Sequence, residues 1–186
     1  MGILMVSPEL LAACRRGDRA AFEEVVRRTY RHVYTQAFRI VGDRHEAEDV
    51  AQEAYLRVFR GLAGFRGEAQ FETWLYRIVA NAAITYLRRK GRFGELIIDR
   101  EDDPLEVAAD VRVAEQAADR EELSRALAAL PISLRAVVVL KDVYGMPHRE
   151  IAELLGTTEG AVKVRLHRAR RRLKEHLFGP EDRDEV

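Results

Sequence analysis

The segment HREIAELLGTTEGAVKVRLHR, residues 148–168, carries the pattern that decides the fold. Two helices that cross closely need a small residue at the crossing, and Ala152 supplies one. Gly156 supplies the positive φ that the turn requires, and Val162 can fill the core between the helices. This spacing is typical of a helix-turn-helix whose second helix reads DNA, so we predict helices over residues 148–155 and 158–177.

The second of these helices is strongly basic, which favours contact with nucleic acid. Residues 159–176 contain seven basic and two acidic side chains. Basic side chains on the outer faces can reach phosphates or base edges. A plain surface helix with solvated arginines is the alternative, and the run of Arg170, Arg171 and Arg172 beside Arg168 argues against it.

Charge is unevenly distributed along the rest of the chain. The 186 residues include 31 basic and 31 acidic side chains, and a net charge of zero by itself argues against a nucleic-acid-binding protein. Residues 84–94, however, contain four basic and no acidic side chains, whereas residues 95–122 contain eleven acidic and three basic ones. We therefore expect two basic surfaces separated by an acidic linker with little fixed structure.

Apolar residues recur at helical spacing elsewhere, and no convincing strand pattern occurs. Ser7 and Asp18 are suited to cap helices, and Gly42 and the glycines of residues 61–67 to break them. The sequence thus predicts an all-α fold of two small helical domains joined by a flexible acidic linker. The predicted limits are residues 1–94 for the first domain, 95–118 for the linker, 119–178 for the second domain and 179–186 for an acidic tail.

Apolar stripes define the core expected for the first domain. The helix that starts after Asp18 should bury Phe22, Val25, Val26, Tyr30, Val33, Tyr34, Ala37, Phe38 and Val41. The next helix should bury Ala47, Val50, Ala51, Ala54, Tyr55, Val58 and Leu62. A fourth helix, near residues 69–90, should bury Phe71, Trp74, Leu75, Ile78, Val79, Ala82 and Leu87.

Signals for catalysis, metal binding and membrane insertion are missing from the sequence. There is no phosphate-binding loop, no dinucleotide glycine fingerprint and no nucleophile elbow. The histidines do not stand at zinc-finger spacing from Cys14, which has no partner for an internal disulfide. We predict a protein that is not an enzyme, needs no cofactor, does not insert into membranes and acts in the cytoplasm.

Three segments together resemble the conserved blocks of extracytoplasmic-function (ECF) sigma factors of bacterial RNA polymerase. They are AEDVAQEAYLRVFRGLAGF (47–65), FETWLYRIVANAAITYLRR (71–89) and LPISLRAVVVLKDVYGMPHREIAELLGTTEGAVKVRLHRARRRL (130–173). The resemblance implies sigma region 2 in the first domain and region 4 in the second, without a region 3 domain. It also implies binding to core polymerase and direction of that enzyme to promoters.

In this family the first block binds the clamp helices of the largest polymerase subunit. The resemblance assigns that contact here to one helical stripe opposite the core: Asp49, Gln52, Glu53, Leu56 and Arg60. Periodicity alone favours a solvated face with acids near a helix N-terminus.

In the same family the second block reads and opens the promoter −10 element. The resemblance assigns that contact to Phe65, Phe71, Arg77, Asn81, Thr85, Arg88 and Arg89, with the loop around Phe65 as a collar for an extruded base. Thr85 stands where related sigmas carry a longer amide, and we expect Trp74 to be core.

The third block binds the −35 element as duplex DNA. The resemblance assigns Arg149, Thr158, Lys163, Val164, Arg165, His167 and Arg168 to this surface, with Arg149 and Arg165 on phosphates. The second domain is also implied to dock on the flap of the second-largest subunit, and an anti-sigma factor is an expected partner.

Two further readings stay open at this stage. The acidic linker either occupies a basic path toward the RNA exit of polymerase or is a solvated spacer. A stand-alone helix-turn-helix regulator that binds operator DNA is the rival function, although residues 1–94 show neither a dimerisation helix nor an effector pocket.

Overall fold

The computed structural model describes residues 6–65, 67, 69–97 and 118–178, and every regular element in those ranges is helical. The chain divides into two compact units, Met1–Leu87 and Arg88–Val186. The prediction of an all-α fold with two helical modules is thereby confirmed. The limits of the functional domains stay a prediction, because compactness alone does not fix where each function ends.

Three helices of the first unit begin at side-chain caps. Ser7, Asp18 and Asp43 each accept a hydrogen bond from the backbone N–H three residues later, at 2.9–3.3 Å. Gly42 ends the second helix with a φ of 84°, a conformation that glycine adopts without strain. The helices are α1 (Pro8–Arg15), α2 (Arg19–Val41), α3 (Arg44–Gly61) and α4 (Phe71–Arg89), with a 3₁₀ turn at Leu62–Gly64.

The predicted inner stripe of the third helix is buried at every position, from Ala47 to Leu62. The stripe predicted for α2 is partly wrong, because Tyr30 is 46% exposed. Two polar residues of α2 are buried instead. Thr29 donates to the carbonyl oxygen of Val25 and lies 2.8 Å from the hydroxyl of Tyr55. These bonds satisfy the Thr29 hydroxyl, so it can lie in the core.

Gln36 is the second buried polar residue of α2, and it connects that helix to α4. Its amide nitrogen donates to the carbonyl oxygen of Tyr76 at 2.9 Å. Burial in the same unit raises the pKa of the Tyr55 phenol to about 12.

The second unit is built around its longest helix. Its helices are α5 (Phe93–Ile97), α6 (Ala118–Ala128), α7 (Ile132–Val138), α8 (His148–Leu155) and α9 (Glu159–Phe178). α9 packs against α6, α7 and α8. A π-helical turn at Val139–Val143 continues α7. Within this turn, the Asp142 carboxylate accepts two hydrogen bonds from the Arg170 guanidinium of α9, at 2.6 and 2.8 Å.

The helix-turn-helix is formed as the spacing predicted. Ala152 and Val162 are buried where α8 and α9 meet. Gly156 has a φ of 63°, and the Thr157 N–H reaches the carbonyl oxygen of Ala152 at 2.9 Å. Thr158 then caps α9, since its Oγ1 accepts from the Ala161 N–H at 3.1 Å.

The predicted linker, residues 95–118, overlaps a helix at each of its ends. α5 continues to Ile97, and α6 already includes Ala118. The remainder of the linker, residues 98–117, and the predicted tail at 179–186 lie outside the described residues.

Replacing Gly156 by alanine should lower the free energy of unfolding by about 1–2 kcal/mol, because a β-carbon is disfavoured at positive φ. Gly160→Ala is the matched control, since Gly160 lies in helical α9 and an added β-carbon would come no closer than 3.8 Å to Thr158 Oγ1. That control should raise the free energy by about 0.5–1 kcal/mol. Urea denaturation measures both, and equal effects of the two variants would contradict the role of Gly156.

Candidate functional site

The outer stripe of α3 lies opposite its buried stripe. Asp49, Gln52 and Arg60 are exposed, and Leu56 is 51% exposed. Glu53 is half-buried and pairs with Arg57, with 2.9 Å between its Oε1 and the Arg57 Nε. The structure therefore brings the five residues of the predicted polymerase contact to one face. Their binding role stays a prediction.

An exposed phenylalanine extends this face and was missed from the sequence. Phe59 is 54% exposed and stands one helical turn after Leu56. One edge of its ring meets Phe22 of α2, with 5.1 Å between the ring centroids. The sequence signal that could have indicated its exposure is its position outside the buried stripe of α3. Together Phe59 and Leu56 form an apolar patch beside charged neighbours, which suits a protein contact.

An aromatic cluster fixes the start of the loop between α3 and α4. The Phe65 ring lies 4.9 Å from Trp74 and 6.0 Å from Phe71, measured between centroids. Trp74 packs over Gly61, where a β-carbon would come within 3.1 Å of the indole. Trp74 thus belongs to a packed cluster, although it is only half-buried.

Phe71 was predicted to contact the −10 element, and the structure places it in the core. Only 5% of the residue is exposed, because it begins α4 facing the core and is packed against Phe65 and Trp74. Phe65 is half-buried and keeps part of its surface open. Arg66 and Glu68 of the predicted collar lie outside the described residues.

Arg15 holds the same loop from α1 and was also missed. Its guanidinium donates a hydrogen bond to the Phe65 carbonyl oxygen and lies 5.4 Å from the centroid of the Phe65 ring. The contact spans 50 residues of sequence, so no local pattern could reveal it.

Three predicted −10 contacts form a row along α4. Arg77 and Asn81 are exposed, and Thr85 is half-buried. The Asn81 amide nitrogen donates to the Arg77 carbonyl oxygen at 2.8 Å, and the Thr85 hydroxyl donates to the Asn81 carbonyl oxygen at 2.6 Å. Each bond restrains a short polar side chain against the helix.

Arg88 and Arg89 end α4 and are both exposed. Arg88 is itself the first residue of the second unit, and its partners lie in that unit. Its Nη2 donates to the carbonyl oxygen of Leu154 at 2.8 Å, and its guanidinium lies 4.3 Å from the centroid of the Phe93 ring. The contact of Arg88 with −10 DNA stays a prediction.

The exposed edge of α9 consists of Lys163, Val164 and His167, and Val164 is 48% exposed. Arg165 was predicted to lie on a phosphate, and the structure instead turns it inward, with only 5% of the residue exposed. Arg165 follows Val162 by three residues and therefore shares its inward-facing side of the helix.

The remaining predicted −35 residues lie near the ends of this surface. Arg149 is exposed and pairs with Glu153 at 3.0 Å. Thr158 is exposed, and its hydroxyl can still donate while its oxygen caps α9. Arg168 is half-buried.

Within the described residues, no group of three or more His, Cys, Asp or Glu side chains is placed to hold a metal ion. Burial and the nearby charge of Asp18 raise the pKa of the Cys14 thiol, which disfavours the reactive thiolate. No helix in that part of the chain is long and apolar enough to cross a membrane.

The fold and this basic helix-turn-helix surface define a DNA-binding protein. Comparison with known families specifies the class, since residues 25–93 match Sigma-70 region 2 and residues 120–173 match Sigma-70, region 4. Curated relatives agree. The chain is 33% identical to the ECF RNA polymerase sigma factor SigW of Bacillus subtilis, over 93% of this chain and 97% of SigW. It is 38% identical to SigM of Mycobacterium tuberculosis, over 91% of this chain and 83% of SigM.

The chain therefore belongs to the ECF RNA polymerase sigma factor family, whose members direct the polymerase to promoters. It is also 36% identical to SigE of Mycolicibacterium smegmatis, where the match covers 87% of this chain and 64% of SigE. Among solved structures, CnrH in complex with the cytosolic domain of CnrY is similar, with a TM-score of 0.52 and 25% identity over 91% of this chain and 95% of CnrH.

Proposed function

We propose that the two units divide promoter recognition between them. The first unit binds core polymerase through the outer stripe of α3 and reads the −10 element through α4 and the loop at Phe65. The second unit reads the −35 duplex through α9. The observation that carries this proposal is the exposed edge of Lys163, Val164 and His167 on a helix held by the Gly156 turn.

The recognition edge of α9 combines charge with an apolar contact. Lys163 can reach a guanine edge or a phosphate, and Val164 can contact the methyl group of a thymine. Arg149, at the start of α8, is suited to a phosphate. Glu153 pairs with Arg149 in the free chain, so a phosphate would replace this carboxylate as its partner.

The −10 surface depends on side chains restrained before DNA arrives. Asn81 and Thr85 are hydrogen-bonded to carbonyl oxygens of α4, so few of their rotations would be lost on binding. Phe65 offers part of an aromatic face for a base outside the stack. We now leave Phe71 out of this surface because it is buried.

The second unit on its own would also suit a regulator that binds operator DNA without polymerase. The family argues against that alternative, because both matched regions are sigma regions and the first covers residues 25–93. Action in the cytoplasm and the lack of catalytic activity belong to the same proposal. Restraint by an anti-sigma factor is also part of this proposal. A solved structure similar to this chain, at 22% identity and a TM-score of 0.55, is the sigma factor RpoE from Bartonella quintana in complex with the anti-sigma factor NepR.

Lys163→Ala should weaken −35 DNA binding by the polymerase holoenzyme and lower the slope of log affinity against log salt by about 1, because one phosphate neutralisation is lost. If Lys163 reads a base instead, the variant should relax preference at one −35 position. Fluorescence anisotropy on wild-type and single-substitution −35 duplexes over a salt series separates the two.

Lys174→Ala is the matched control for that experiment. It removes the same charge from the same helix, eleven residues further along, or about 16 Å at the helical rise. The control should leave the −35 preference unchanged and alter affinity less. Equal losses in the two variants would show that α9 acts only through overall charge.

Thr85→Ala should reduce opening of the −10 element several-fold, since the hydroxyl lies on the proposed DNA stripe. Thr35→Ala is matched to it, because the Thr35 hydroxyl also donates to the carbonyl oxygen four residues earlier at 2.6 Å, but on α2. Permanganate reactivity of −10 thymines in holoenzyme complexes measures the opening. The same loss in both variants would contradict a DNA contact by Thr85.

A further inference from the structure

Asp49 stands out among the residues of the proposed polymerase face because another helix holds its carboxylate. The Tyr86 hydroxyl, on α4, donates to Asp49 Oδ2 at 3.2 Å. The Tyr86 side chain is buried, with 7% of the residue exposed, whereas Asp49 is exposed. We propose that Tyr86 is a positioning residue that fixes the Asp49 carboxylate in the orientation presented to core RNA polymerase.

This inference rests on the proposed function, in which Asp49 contacts the polymerase. An ionised carboxylate has two oxygens and accepts about four hydrogen bonds. A single bond from Tyr86 therefore leaves Asp49 with acceptor capacity for a cationic or N–H donor of the partner. A charge-assisted bond of that kind is among the stronger and more directional polar contacts.

The register between α3 and α4 sets this contact. Trp74 of α4 packs over Gly61 of α3, and Tyr86 of α4 reaches Asp49 of α3. Each pair lies twelve residues from the other along its own helix, which is about 18 Å at the helical rise. These two contacts, at equal spacing and in opposite chain directions, show that the two helices run antiparallel.

Comparing Tyr86 with Tyr55 shows that the Tyr86 hydrogen bond does more than satisfy a buried hydroxyl. Tyr55 is buried in the same unit, and its hydroxyl meets the interior groups of Thr29 and Val26 at 2.8 and 3.4 Å. Tyr86 instead directs its hydroxyl to a carboxylate that faces solvent. Restraining that carboxylate before binding reduces the rotational freedom lost when polymerase docks.

A double-mutant cycle tests the proposal on the full chain, with affinity for core RNA polymerase as the measured quantity. Tyr86→Phe keeps the ring and removes the hydroxyl, and we expect it to weaken polymerase binding by about three- to tenfold. Asp49→Ala should weaken binding at least as much. The double variant should bind like Asp49→Ala alone, because Tyr86 acts through the Asp49 carboxylate.

Tyr55→Phe is the matched control, since it also removes one hydroxyl from a buried tyrosine of the first unit. It should lower the melting temperature and leave polymerase affinity unchanged. All variants are compared well below their melting temperatures, and the circular dichroism spectrum of each variant serves as the check that the first unit is folded.

Three results would overturn the proposal, and they differ in what they leave standing. Unchanged affinity for Tyr86→Phe with weakened binding by Asp49→Ala would remove the positioning role and keep the polymerase contact. Additive losses in the double variant would show that Tyr86 acts on binding by another route. Unchanged affinity for Asp49→Ala would remove the proposed contact and the positioning role together.

Discussion

Complete burial of one stripe on a helix fixes the rotation of that helix, and the surfaces of both units depend on this constraint. In α3 the residues from Ala47 to Leu62 that face inward are all buried, so Asp49 and Leu56 must face outward. In α9 the burial of Val162 and Ala169 likewise directs Lys163 and Val164 to the surface. The apolar core thereby determines which polar groups a partner can meet.

Turns, caps and side-chain contacts further restrain the surface side chains that the core has oriented. The Gly156 turn sets the angle between α8 and α9, and the Thr158 cap fixes where α9 starts. In the first unit, Arg15 and Trp74 hold Phe65 at the start of a loop, and Tyr86 holds Asp49. In the proposed function, the side chains that meet DNA or polymerase have therefore already lost part of their freedom, which favours specific over diffuse binding.

The sequence predicts those features that depend on neighbours along the chain. Caps at Ser7 and Asp18, the turn at Gly156 and the α3 stripe follow from residue type and spacing, and the structure contains all of them. The sequence alone could not predict contacts between segments that are distant along the chain. Thr29 is buried because Tyr55 approaches it from α3, and Arg15 bonds to a carbonyl 50 residues away. Arg165 was assigned to phosphate through the family resemblance, although its spacing of three residues from Val162 places it on the inward-facing side of α9.

Dependence of DNA binding on polymerase tests the central claim most directly: the two units recognise promoter DNA as parts of a sigma factor. The measurement is the affinity of the purified chain for DNA bearing both the −35 and −10 elements, with and without core RNA polymerase, alongside run-off transcription. The account predicts weak binding by the chain alone, tight binding with polymerase, and a transcript that requires both elements. Equally tight binding without polymerase, together with no promoter-dependent transcript, would contradict it.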